Sequence, residues 1–99
     1  MIPELISSLN ECPEVSQIIL TQNIPEDISI DEKKNLTIIK NTSPKGYGEN
    51  HNNAFNISKN DYFCVLNPDI KILKNPFLNL TNFLKEKDVG LVSPMIVNL

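Results

Sequence analysis

A switch from helical to strand periodicity near the middle of the chain constrains the fold more than any other feature of this sequence. A helical pattern over residues 48–59 follows the chain breakers Pro44 and Gly46. The period then changes to a short apolar, aromatic and β-branched run over residues 61–66, which a turn-forming Asn-Pro pair ends. A helix leading directly into a buried strand is typical of the parallel crossovers of α/β proteins.

The rest of the chain carries further helix and strand patterns in alternation. The expected helices are residues 3–11 and a segment from Asn75 to Lys87; the expected strands are residues 15–21, 36–40 and 89–97, with a brief extended piece at 70–73. The resulting order is helix, strand, strand, helix, strand, helix, strand. It predicts the α/β class.

Composition and charge limit the kinds of partner. At 99 residues the chain is one small domain or part of a larger one. A net charge of -3 without a basic stripe argues against nucleic acid as a partner. There is no apolar run of membrane-spanning length and no signal peptide, so we expect a cytoplasmic protein. Cys12 and Cys64 are expected to be reduced and structural.

The stretch over residues 43–70 resembles the inverting family 2 glycosyltransferases of the GT-A nucleotide-sugar fold, in particular their rhamnosyltransferase-like branch. Those enzymes carry an Asn-x-Gly-Phe/Tyr-Gly-x-Asn-x-x-x-Ala-Phe helix start and then a strand that ends in Leu-Asn-Pro-Asp. The corresponding residues here are Pro44, Gly46, Tyr47, Gly48, Asn50, Ala54 and Phe55, followed by Leu66, Asn67, Pro68 and Asp69. The resemblance implies a partial GT-A or Rossmann-like nucleotide-diphospho-sugar transferase fold, with a mostly parallel sheet flanked by helices, over residues 1–99 as a single partial domain.

The same resemblance implies a set of residues that bind a nucleotide-sugar donor. They are Gln22, Asn23, Gly46, Gly48, Asn50, Asn53, Asn67 and Asp69. Gln22 and Asn23 follow the first strand, where the family usually has two acidic residues or an Asp-Asn pair. Asn50 and Asn53 lie one turn apart beside the N-terminus of the 48–59 helix, where backbone N–H groups also meet anionic ligands.

Asp69 is the residue that the resemblance assigns to a metal ion. A carboxylate there would hold Mg²⁺ or Mn²⁺ against the diphosphate oxygens of the donor. Asn67 stands where the family has its first carboxylate, so metal affinity should depend largely on the donor's own phosphates. The alternative is that residues 67–69 form only a turn after a strand.

His51 shares a helical stripe with Tyr47, Ala54 and Phe55. We expect this stripe to be part of the core, with His51 packed and hydrogen-bonded rather than catalytic. Asn52 and Asn56 are expected on the solvated side of the same helix.

The function implied by the resemblance belongs to a full enzyme. That enzyme would transfer a hexose such as rhamnose from a UDP- or dTDP-sugar to a glycan or lipid-linked acceptor with inversion, in the cytoplasm or at the inner face of the membrane. The acceptor half and its general base are missing from this sequence, so we expect no transfer by these residues alone. The alternative is a non-catalytic α/β nucleotide-binding or assembly module.

A strand expected from the family pattern is also missing. The sheet order in such folds resembles 3-2-1-4, which places the absent first strand between residues 15–21 and residues 61–66. Its absence would leave a gap of one strand and two open sheet edges. The chain must then pair these two strands directly, take in a strand from a second copy, or be part of a longer polypeptide, which we favour. If the polypeptide begins at residue 1, we expect self-association through these edges.

Overall fold

The fold is described by a computed structural model that covers residues 2–24, 26, 35–87, 90, 91 and 93. Its elements are α1 (Ile2–Asn10), β1 (Ile18–Gln22), β2 (Leu36–Lys40), α2 (Tyr47–Ile57) and α3 (Phe77–Lys87). The two strands form a parallel sheet, with Ile18 opposite Leu36 and Gln22 opposite Lys40. The predicted α/β class is therefore confirmed. The predicted strand at 89–97 falls largely outside the described residues.

Helix α1 contributes buried side chains to the hydrophobic core. Apolar residues recur at helical spacing, so Ile6 and Leu9 face inward and are 8% and 6% exposed. They pack on Ile18 of β1, and this group of three is the centre of the hydrophobic core. The helix ends just before Cys12, whose N–H donates to the carbonyl of Leu9 at 3.1 Å.

Helix α2 begins one residue earlier than predicted, and its expected core stripe is confirmed at Ala54 but wrong at Tyr47 and Phe55. Ala54 is the only buried residue of this helix, whereas Tyr47 is 64% and Phe55 is 58% exposed. The reason is the narrow sheet, because two strands cover only part of the inner face of the helix. The half-buried ring of His51 stacks edge-on against Tyr47, with centroids 4.4 Å apart.

Residues 61–66, predicted to be a strand, have no regular secondary structure. Within the described ranges, no backbone hydrogen bond joins this segment to another part of the chain. A strand needs a neighbour that pairs with its N–H and C=O groups, and here no strand lies close enough to do so. Tyr62, Cys64 and Val65 are consequently exposed, which corrects the prediction of a buried Cys64.

Helix α3 begins at the predicted Asn-Pro signal. The side-chain oxygen of Asn75 accepts a hydrogen bond from the N–H of Phe77 at 3.0 Å, which is the expected N-cap interaction. Phe77 packs against the core, but no side chain that the structure describes in α3 is buried. None of the helices in the described ranges has the length and apolar character needed to cross a membrane.

Candidate functional site

Two asparagines meet where the parallel strands end. Asn23 follows β1 and Asn41 follows β2, and parallel strands present their carboxyl ends at the same edge of a sheet. The N–H of Asn41 continues the ladder by donating to the carbonyl of Gln22 at 3.1 Å. Asn41 is only 6% exposed, so its side chain must find hydrogen-bond partners inside the protein.

Those partners come from two other segments of the chain, the residue after β1 and the first turn of α2. The Nδ2 of Asn41 donates to the Oδ1 of Asn23 at 2.9 Å and to the Oδ1 of Asn50 at 2.8 Å. The Nδ2 of Asn50 in turn donates to the Oδ1 of Asn23 at 3.3 Å. We call Asn23, Asn41 and Asn50 the asparagine cluster, and it ties the ends of both strands to the first turn of α2.

The cluster fixes the direction of the Asn23 amide. Its Oδ1 also accepts the backbone N–H of Lys45 at 2.7 Å, so three donors converge on this one oxygen. The Nδ2 of Asn23 has no hydrogen bond to any residue that the structure describes, and the side chain is half-buried. Asn23 therefore offers a hydrogen-bond donor at the sheet edge, which suits an acceptor oxygen on a ligand.

Gln22 is placed differently from the sequence prediction. It is the last residue of β1 rather than part of the loop after it, and it is 8% exposed. Its Nε2 donates to the backbone carbonyl of Glu26 at 3.2 Å. Its Oε1 is buried and has no partner among the described residues. A buried acceptor without a donor is costly, so an N–H or O–H group supplied from outside would be favoured there.

The N-terminus of α2 lies beside the cluster and is open. Gly46 is the N-cap and provides no side-chain cap, and the first hydrogen bond is donated by Asn50 to the carbonyl of Gly46 at 3.0 Å. A Cβ at Gly46 or Gly48 would meet no atom within 4 Å. The space beside these two glycines is therefore open, and the helix dipole favours a negative charge at this end of α2.

Asn67 and Asp69 lie on the other side of this edge. The hydroxyl of Tyr47 donates to the Oδ1 of Asn67 at 3.2 Å, which uses one of the two lone pairs of that oxygen. Pro68 and Asp69 form a turn, as the alternative interpretation expected, and Asp69 is exposed. No group of three or more His, Cys, Asp or Glu side chains suited to a metal is found in the described part of the chain. The predicted metal site thus depends on Asp69 alone.

A cavity of about 350 Å³ opens between β1 and the 62–68 segment. Of the predicted donor-binding residues, Asn50 and Asn67 line this cavity. Tyr47, His51 and Thr21 also belong to its lining. Asn53 is half-buried and does not line the cavity, and neither does Asp69. The structure therefore brings Asn23 and Asn50 into direct contact, whereas Asn53 and Asp69 make no hydrogen bond to either of them.

Sequence reasoning missed Asn41 as a member of the site. A signal for it was present, because Asn41 directly follows the predicted strand 36–40 and Asn23 lies two residues beyond the end of the predicted strand 15–21. Parallel pairing of those strands places both asparagines at one edge, which makes their contact predictable once the pairing is assumed.

The two cysteines are thiols whose surroundings disfavour the thiolate form. Both are free, in agreement with the sequence prediction. Burial raises the pKa of the Cys12 thiol, and the carboxylates of Glu14 and Glu11 raise it further. Desolvation also raises the pKa of the Cys64 thiol. Both side chains therefore remain protonated thiols near neutral pH.

Searches of known protein families, curated proteins and solved structures found no match to this chain.

Proposed function

We propose that this chain binds a nucleotide-sugar and is the donor-binding region of an inverting glycosyltransferase with a GT-A fold. The observation that supports the proposal is the asparagine cluster. It joins Asn23 and Asn50, two residues that the sequence resemblance assigns to the donor, at the carboxyl edge of a parallel sheet. Ligands of open α/β sheets bind at that edge.

The chemistry at this edge suits a nucleoside diphosphate. The Nδ2 of Asn23 would donate to an oxygen of the base or ribose, since its Oδ1 is already occupied by three donors. The open N–H groups at the start of α2 would meet the diphosphate, and the space beside Gly46 and Gly48 lets a ligand approach the backbone.

Asp69 would hold Mg²⁺ or Mn²⁺ together with the diphosphate. When bound, the metal would neutralise the charge of the leaving diphosphate. One exposed carboxylate holds a divalent cation weakly, so we expect metal and nucleotide to bind together rather than separately.

Calorimetry with UDP and dTDP, with and without Mn²⁺, tests the nucleotide site. Asn23→Asp keeps an acceptor for the three donors but replaces the outward donor with a negatively charged oxygen. We expect it to weaken nucleotide binding at least about tenfold, the equivalent of one good hydrogen bond to a charged or polar ligand. Asn52→Asp, on the exposed side of α2, is the matched control and should leave the affinity unchanged. Equal affinities for both variants would refute the site.

The metal has its own test. Asp69→Ala should remove the Mn²⁺ dependence of binding, whereas Asp61→Ala, a second exposed carboxylate outside the cavity lining, should retain it. Nucleotide binding that is independent of Mn²⁺ in the original protein would instead support the second candidate function, a non-catalytic nucleotide-binding or assembly module. The neutral amides of the asparagine cluster favour that candidate, because they bind without a metal.

The full enzyme would transfer a hexose such as rhamnose from a UDP- or dTDP-sugar to a glycan or lipid-linked acceptor. These 99 residues alone should neither hydrolyse nor transfer the sugar, because the resemblance places the general base and the acceptor half beyond them. Turnover of a UDP- or dTDP-hexose by the purified chain would contradict this expectation and would mean that these residues contain a general base.

A further inference from the structure

The two edges of β1 differ in their hydrogen bonding. Toward β2, the N–H of Ile18 donates to Asn35 at 2.8 Å and the carbonyl of Gln22 accepts from Asn41 at 3.1 Å. Because successive residues of a strand alternate between its edges, the N–H and C=O groups of Ile19 and Thr21 point the other way. No hydrogen bond reaches those groups from any residue in the described ranges.

The cavity of about 350 Å³ lies along this unpaired edge. Ile19 and Thr21 belong to its lining, and the 62–68 segment forms the opposite side. α1 contributes Leu5 and Leu9 to its walls, and α2 contributes Ala54. We call this space the slot. Its volume is within the range of small-ligand sites, but its long side is the edge of a strand.

The segment opposite β1 is held by hydrogen bonds at both ends of the slot. At one end, the hydroxyl of Ser16 donates to Asn60 at 2.8 Å and the N–H of Lys59 donates to Gln17 at 3.3 Å. At the other end, Tyr47 holds Asn67 at 3.2 Å. The 60–67 segment therefore runs alongside β1 in the same direction, and an extended chain between them could pair with the free edge of β1.

Among the residues that the structure describes, the lining of the slot carries no Asp, Glu, Lys or Arg side chain. A charged side chain placed inside it would lose its water without gaining an opposite charge. An uncharged strand is the complementary partner, since its backbone would pair with Ile19 and Thr21. Helices α1 and α2 both contribute apolar walls, and strands covered on both faces are continuously apolar and β-branched.

From these observations, the geometry points to a peptide-binding site: the slot accepts an uncharged, β-branched extended segment of a partner polypeptide, which adds a strand parallel to β1. Addition of a strand to a free sheet edge is an established mode of peptide recognition. The slot shares Asn50 and Asn67 with the predicted donor-binding residues, whereas Asn23 is not part of its lining. Peptide binding along β1 does not depend on nucleotide binding.

Hydrogen exchange with a defined peptide tests this inference. The probe is acetyl-Thr-Val-Ile-Val-Thr-amide, added to the full chain. We expect the amide hydrogens of Ile19 and Thr21 to exchange at least about tenfold more slowly, whereas Ile18 and Leu20, which face β2, change less. The same peptide with N-methylated backbone nitrogens should not bind. Unchanged exchange at Ile19 and Thr21, or equal binding of the N-methylated peptide, would overturn the inference.

Neighbouring substitutions in the opposite wall give a matched pair. Cys64 lines the slot and Val65 does not, and both are exposed, so a new carboxylate should be tolerated by the fold at either position. Cys64→Asp should weaken peptide binding at least about tenfold and Val65→Asp less than about twofold. Equal effects would show that the peptide binds elsewhere.

Light scattering on the chain without peptide identifies a competing occupant. In contrast to the self-association expected from the sequence, the inference requires a monomer at micromolar concentration whose Ile19 and Thr21 amides exchange freely. A dimer in which these two amides are already protected would mean that a second copy of this chain fills the slot, and would replace the inference of a separate partner.

Discussion

Two parts of this molecule have similar apolar content but very different burial. The packed part, residues 2–22 and 35–41, contains the core of Ile6, Leu9 and Ile18. The open part, residues 60–87, has no buried side chain among those described, although Leu66, Ile72 and Phe77 touch the core. The packed part owes its burial to the pairing of β1 with β2. Apolar residues become a core only where the backbone beside them is also paired.

Truncation of a core residue should give the largest difference between the two parts. Leu9→Ala removes a side chain that is 6% exposed and should lower the free energy of unfolding by about 2 to 5 kcal/mol. Leu78→Ala in α3, where the side chain is 54% exposed, should change it by less than about 0.5 kcal/mol. Urea unfolding of both variants makes the measurement. Similar losses would mean that the open part is packed more tightly than described.

Removal of the central amide of the asparagine cluster comes next. Asn41→Ala eliminates two side-chain hydrogen bonds in a buried setting and should cost about 1 to 3 kcal/mol. Asn52→Ala, on the exposed side of α2, serves as the control and should be close to neutral. If the two variants unfold at the same urea concentration, the cluster does not hold the strand ends to α2.

A smaller effect should distinguish cooperative from local unfolding of the open part. Asn75→Ala removes the N-cap of α3 and should destabilise that helix by about 1 kcal/mol. We expect amide exchange in α3 to accelerate about fivefold while β1 remains unchanged, because loosely packed segments open independently. Asn75→Ser keeps a capping hydroxyl but loses the hydrogen bond from Asn75 to Glu14, and should behave like the original protein. Equal acceleration in α3 and β1 would indicate one cooperative unit.

The smallest expected effect is a pH dependence that originates in the packed part. The pKa of Cys12 is raised above its ordinary value of 9.0, first by burial and then by Glu14 and Glu11. The folded chain therefore keeps this proton after the unfolded chain has lost it. The raised pKa of Cys12 contributes to the free energy of unfolding in full below pH 9.0, and this contribution is lost as the pH rises through the folded-state pKa.

Cys12→Ala should accordingly show a flatter decline of the free energy of unfolding above that pH. Urea unfolding at several pH values is the measurement, and Cys64→Ala is the comparison. The contribution of the two carboxylates should shrink in high salt for Cys12 but not for Cys64, whose pKa is raised by desolvation alone. An unchanged slope for Cys12→Ala would contradict the assignment.

Much of the packed part could be predicted from the sequence. The periodic apolar residues of α1 and the β-branched runs of β1 and β2 give their positions within a few residues, because local pattern and tertiary contact agree there. The N-cap signal at Asn75 likewise located α3.

The open part could not be predicted in the same way. Residues 61–66 have the composition of a strand, but a strand also requires a paired neighbour. The sequence of the segment does not show whether such a neighbour is present. The prediction that Tyr47 and Phe55 are buried was wrong for a related reason, because their burial required a wider sheet. In the site, Asn23 and Asn50 were identified from the resemblance, whereas the contact made by Asn41 required knowledge of the strand pairing.

The hydrogen bond between Ser16 and Asn60 has a consequence for the order of folding. It closes a loop of 44 residues, whereas β1 and β2 are joined between Ile18 and Leu36. Closing the longer loop costs roughly 1 kcal/mol more in chain entropy. The sheet should therefore form first, and residues 60–68 should pack beside β1 afterwards. During that interval the unpaired side of β1 is accessible from solution, so a partner strand could be captured during synthesis more readily than after folding is complete.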